Sequence, residues 1–161
     1  MSITNTEISN RFNEIESILI DSKKWAVTNP LLASQLATFL DVYLLGVVEE
    51  SFEFLIKRRA NKAKDPEVYN YISQDIEHTF RNPCRKNILG ALNKFSTNYG
   101  DAFAKKFPIK CSEIDALDAI LSHKTNLAHK GAFNLGLSLE DVEQYLSGII
   151  IIFENLEQIL A

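Results

Sequence analysis

Apolar residues recur every three or four positions through most of this chain, the spacing of helices that each bury one face. Ile8, Phe12, Ile15, Ile18, Leu19 and Trp25 mark a first amphipathic helix over Thr6 to Lys24. Thr28-Asn29-Pro30 breaks it. Pro30, whose missing N–H is no loss in a first turn, opens a second helix from Leu31 to about Ala63. Between Leu31 and Ile56 apolar residues occupy nearly every face, which predicts a long central helix with neighbours around most of its circumference. Gly46 in its middle costs about 1 kcal/mol against alanine and fits a place where another helix comes close.

Asp65-Pro66 opens a third helix running to about His78, and Asn82-Pro83 a fourth, with Ile88, Leu89, Leu92 and Phe95 inward, to about Asn98. Tyr99-Gly100-Asp101 turns the chain into a short amphipathic segment that ends at Phe107 and is stopped by Pro108. Ser112 with Asp115 predicts a capping box for the next helix, where Ile114, Leu117, Ile120 and Leu121 recur at helical spacing and Gly131 can supply the end. Phe133 to Leu137 reads as a loop. Ser138 with Asp141 predicts a second box, for a last helix carrying Leu139, Val142, Leu146, Ile149, Phe153, Leu156 and Leu160 inward. No strand alternation, glycine-rich phosphate loop, HExxH pair or repeat occurs. The pattern predicts an all-α bundle of about five to six helices, one domain over residues 1–161.

With 161 residues and 46% hydrophobic composition, such a domain buries about two-thirds of its unfolded surface and needs no disulfides. Cys84 and Cys111 lack CxxC pairing and histidines at ligand spacing, so they read as ordinary thiols in a reducing compartment, without a structural zinc. The polar, acidic N-terminus is unlike a signal peptide, and the apolar run Ile149 to Phe153 is far short of a membrane span. These features predict a soluble cytoplasmic protein with no membrane partner. The net charge of −4 excludes a general nucleic-acid coat. RNA contact would need local basic patches: KRRANKAK over Lys57 to Lys64, and Arg81, Arg85 and Lys86. For the first, the helix dipole is a sufficient structural reason; the second reads also as a solvated helix start.

The chemistry-bearing cluster is His123, Lys124, Thr125, Asn126 and His129, gathered at the end of the Ser112 helix. Thr125, Asn126 and His129 fall within about a third of its circumference, with Lys124 further round. An imidazole exchanges protons near neutrality and a cation holds a phosphate, so the cluster suits a reacting phosphate. In the long helix Glu49, Glu50 and Glu53 interrupt the apolar surface. Glu49 and Glu53 repel across one turn, which predicts an outside partner for at least one of them or a solvated strip.

The stretch ILSHKTNLAHKG resembles the motif of HEPN domains, small helical bundles of prokaryotic toxin and defence systems, in which an arginine and a polar residue precede a histidine. Lys124 stands where the arginine is expected, Thr125 is the polar residue, Leu127 and Ala128 match, His129 is the histidine, and Lys130 is inserted before Gly131. Gly46-Val47-Val48-Glu49 is similar to the long-helix pattern of RiboL-PSP-type HEPN proteins, in which that acid lies near the motif, and Asn82-Pro83 is similar to their helix-opening dipeptide. The resemblance implies a metal-independent, cofactor-free endoribonuclease, acting as a toxin or anti-phage effector, in which a 2′-hydroxyl attacks its own phosphate. It implies His129 as acid/base, Lys124 as electrostatic stabiliser, Thr125 or Asn126 as orienting groups, and Glu49 beside them. His123, Lys130, Arg81, Arg85 and Lys86 would contact RNA. It further implies a homodimer whose motif helices build a composite site, and a protein antitoxin or regulator. The alternative is a HEPN-like module without catalysis that binds RNA or a partner protein, since lysine lacks the bidentate fork of arginine. Gly131 occupies the place of the tyrosine modified in HEPN toxins paired with minimal nucleotidyltransferases, which sets that pairing aside.

Overall fold

The computed structural model describes residues 3–79, 82–130 and 136–161, with the side chains of 78, 79 and 126–130 outside the description. Asn5 accepts from the N–H groups of Glu7 and Ile8 to cap α1, Thr6–Ala26. Asn29 does the same for Leu32 at 3.1 Å, and Pro30 leads α2, Pro30–Asn61, as the sequence predicts. There follow α3, Pro66–Thr79, α4, Arg85–Phe95, and α5, Thr97–Lys106, then α6, Ser112–Lys130, and α7, Leu139–Ile159. The described residues form seven helices and no strand, an all-α bundle.

The count exceeds the expected five to six because the Tyr99 segment is a full helix. Ser96, extended at φ −165° and ψ 135°, separates it from α4, and its hydroxyl accepts from the Asn98 N–H. Gly100, read as a turn residue, lies inside α5. A Cβ there would sit 1.9 Å from Asn93 Oδ1 of α4, so this glycine serves close packing rather than a bend. The α4 start also falls two residues beyond the Pro83 expected to lead it.

The long helix is central: α2 packs against α1, α3, α6 and α7. Leu44, Val48 and Phe52 of α2 are buried with Phe12 of α1 and Ile120 of α6, and the Phe12 ring lies 5.1 Å from Phe153 of α7. By length and apolar composition α2 is also an element that could cross a membrane. Trp25, expected inward, is 65% exposed. The buried seam of α1 runs through Ile15, Leu19 and Ser22, and Trp25 lies roughly 80° away from it.

No neighbour approaches Gly46: a Cβ there would meet nothing within 4 Å. The close approach is instead on α7, where a Cβ on Gly148 would lie 3.3 Å from Ala116 Cβ and 3.5 Å from Glu113 Cα. This contact sets the spacing between α6 and α7. Gly46→Ala is therefore expected to stabilise the protein by about 0.5–1 kcal/mol through helix propensity alone. Thermal unfolding of the variant checks it, and a lowered Tm would refute the open space.

Candidate functional site at the crossing of the second and sixth helices

Two caps position the helices that carry the cluster. The box at α7 is formed as predicted: Ser138 Oγ accepts from the Asp141 N–H at 3.1 Å, and Asp141 Oδ2 accepts from the Ser138 N–H at 2.9 Å. At α6 the expected pairing of Ser112 with Asp115 is replaced. The Ser112 hydroxyl donates to Glu113 at 3.1 Å, and the Asp115 N–H reaches the Cys111 carbonyl.

Ile114, Leu117 and Ile120 form the buried stripe of α6, and His123 continues it by three residues. Its ring therefore enters the interface with α2, where Nδ1 lies 3.2 Å from Asp41 Oδ2. Asp41 has no exposed surface, and its Oδ1 has no hydrogen-bond partner among the described residues. Burial pushes the Asp41 carboxyl up to about 6, against the opposing charge and hydrogen bond of His123. From α7 the Tyr145 ring stands 6.1 Å from the imidazole, centroid to centroid. Burial, Asp141 and Asp41 raise the Tyr145 phenol. The Asp141 carboxyl is held low by its hydrogen bonds from Ser138, with a further contribution from the charge of His123. The imidazole thus sits between carboxylates of two helices. When Asp41 is ionised, Nδ1 carries the proton it donates, which leaves Nε2 as the nitrogen able to accept one.

Lys124, the next residue, reaches the other way. Its Nζ is 3.0 Å from Glu49 Oε1, with the side chains 40% and 24% exposed. Among the described residues Glu49 is its ion-pair partner, and an ammonium has three donors to offer. The outside partner expected for Glu49 or Glu53 is found for Glu49, while Glu53 pairs with Lys57 at 2.5 Å and Glu50 with Arg11 at 2.5 Å. Glu49 links α2 to α6 and Glu50, 70% exposed, links it to α1, while the Glu53 pair lies within α2.

Other expected site residues are placed differently. Thr125 is exposed and its hydroxyl donates back to the Leu121 carbonyl at 3.0 Å. Arg85 Nε donates to the Phe107 carbonyl at 2.8 Å, tying α4 to the end of α5, while Lys86 is exposed. In the KRRANKAK stretch Lys57 bridges Glu53 and Glu77, and Arg59 Nε donates to the Tyr99 hydroxyl at 3.0 Å. These cations hold the fold together. The side chains of Asn126, His129 and Lys130, and all of Arg81, lie outside the described residues.

Asp41 and Glu49 are eight residues apart, about 12 Å along α2. Their partners are neighbours on α6, so the two contacts diverge. His123 and Lys124 belong to one region but not to one point. Asp41 is the residue the sequence reading missed. Its signal was its isolation as the single charge between Leu31 and Val48. Comparisons with protein-family models, curated proteins and solved structures find no match to this chain.

Proposed function

We infer that this chain is a HEPN-type endoribonuclease, cytoplasmic, acting as a toxin or anti-phage effector through a composite site in a homodimer. The observation that carries the reading is the Lys124–Glu49 ion pair at 3.0 Å. It joins the motif cation of one helix to the acid of another, the proximity that the resemblance implies for residues 75 positions apart. In the reaction the 2′-oxygen of RNA attacks the adjacent phosphorus, the 5′-oxygen leaves, and the products are a cyclic phosphate and a 5′-hydroxyl. Lys124 stabilises the charge on the phosphoryl oxygens, and Glu49 fixes the ammonium in place. His129 serves the proton transfer.

The test is incubation of the purified protein with a mixed RNA pool in EDTA, beside His129→Ala, at a concentration where light scattering shows a dimer. Cyclic phosphate ends that vanish in the variant are expected; intact RNA would sink the reading. A second reading, a non-catalytic module that binds RNA or a regulatory protein partner, draws on the same pair: Lys124 is already partnered by an acid and lacks the guanidinium fork. RNA retained without cleavage would favour it.

A further inference from the structure

Helix α3 carries two rows of side chains at four-residue spacing: Glu67, Tyr71 and Asp75, and beside them Val68, Ile72 and Ile76. The second row is that of a core helix, yet of the three only Ile76 is buried, and Val68 is 41% exposed. The packing explains this. α3 lies on α2, while α4 lies on α5 and α6, and a cleft remains between α3 and α4. Ala91 and Phe95 of α4 face it, and Ile56 of α2, which is buried, lines it too. Its volume is about 370 Å³, at the lower end of the range for sites that hold small molecules. Its walls are apolar side chains that lack partners on the open side, so an apolar body placed there would gain contacts now missing.

The same cleft is lined by three charges. Asp75 of α3 and Lys94 of α4 pair across it at 2.5 Å. Glu67 lines it as well, exposed, and its carboxylate has no ion-pair partner among the described residues. Two carboxylates thus stand against one ammonium, and the surplus is negative. Tyr71, 75% exposed, lies one turn from each acid, about 6 Å along the helix. The face of an aromatic ring attracts cations, and a carboxylate one turn away adds to that attraction. An anion would have to part Lys94 from Asp75 and then face Glu67.

We propose that the cleft between α3 and α4 is a binding site for a small apolar amine. The hydrocarbon body lies between Ile72 and Phe95, and the ammonium sits at the mouth against Glu67 and the Tyr71 ring. The cleft shares no lining residue with the site of His123 and Lys124, and it takes its ligand whether or not the chain cleaves RNA.

The experiment titrates phenylpropylamine into the full chain at neutral pH and low salt, beside phenylpropanol and phenylpropionate, which share its body and differ in charge. Amide NMR spectra report where and how tightly each binds. The amine is expected to move the signals of Val68, Ile72, Ala91 and Phe95. It should bind roughly fivefold to tenfold more tightly than the alcohol, the effect of one exposed ion pair with one cation–π contact. The carboxylate should bind more weakly than the alcohol. Glu67→Gln, at an exposed position, should erase most of the amine's advantage and leave the alcohol's affinity unchanged; Tyr71→Leu, which keeps an apolar wall, should lower that advantage too. Ala91→Leu fills the cleft and should abolish binding of all three, with the fold kept, as an unchanged or raised Tm shows. An amine that binds no better than the alcohol, or an advantage that survives Glu67→Gln, overturns the proposal. So does binding undiminished in Ala91→Leu.

Discussion

Asp41→Asn is expected to make the protein more stable at neutral pH, by up to about 3 kcal/mol. In the fold, burial raises the Asp41 carboxyl from 3.8 to about 6, with His123 opposing that rise. A group whose folded pKa lies above its unfolded value binds its proton more tightly when folded. Its contribution to stability is complete below pH 3.8 and lost as pH rises through about 6. Asparagine keeps the shape and never ionises. The difference between variant and wild type should therefore be small near pH 4, grow through pH 4 to 6, and level off above. Urea unfolding of both proteins across that range measures it, and a variant less stable than the wild type at pH 7 would contradict the unpaired burial.

Lys124→Ala is expected to slow RNA cleavage about 10²–10³-fold, the usual effect of removing one donor from a charge-stabilising site. The side chain is 40% exposed, so the protein should fold as before. Lys124→Arg is expected to act in the opposite sense. Its planar fork can keep Glu49 and still place two N–H groups on a phosphate, and one added charge-assisted hydrogen bond is worth roughly tenfold in rate. Single-turnover rates at saturating protein separate chemistry from binding here. An alanine variant that cleaves at the wild-type rate would remove Lys124, and the ion pair with it, from the mechanism.

Helices were legible where local chemistry alone decides them. Asn29-Pro30 and Ser138 with Asp141 start their helices because a side-chain oxygen meets the free N–H groups of the first turn, a contact within four residues. The α4–α5 break was expected at Tyr99 to Asp101 and lies at Ser96, because apolar spacing continues across Ser96 through Phe95 and Tyr99, and because a glycine used for packing looks the same in sequence as one used for turning. Trp25 shows the same limit, since a large apolar residue at the end of a stripe counts as inward until the seam's angle is known.

For the site, the motif helix and the acid in α2 could be named from sequence, and an outside partner for Glu49 or Glu53 was one of two readings that followed from like charges one turn apart. Which cation answered could not be known, because the choice depends on how steeply α6 crosses α2. Asp41 was conspicuous as a single charge in an apolar helix, but only the tertiary partner, His123, gives that charge a meaning. The Thr125 hydroxyl, near the end of a helix, meets the carbonyl four residues back, a local contact that sequence spacing alone does not announce.

The diverging contacts of His123 and Lys124 have a mechanical result. A stripe of leucine and isoleucine fixes how deeply a helix sits but leaves it free to roll by some tens of degrees, since apolar contacts carry no direction. Two hydrogen-bonded tethers, reaching points about 12 Å apart on a single rigid beam, remove that freedom. The azimuth of the last turn of α6 is thereby set by Asp41 and Glu49 on α2. Losing the exposed tether alone leaves the buried one to hold that azimuth; losing both would free that end of the helix to turn about its own axis, with its depth in the core unchanged.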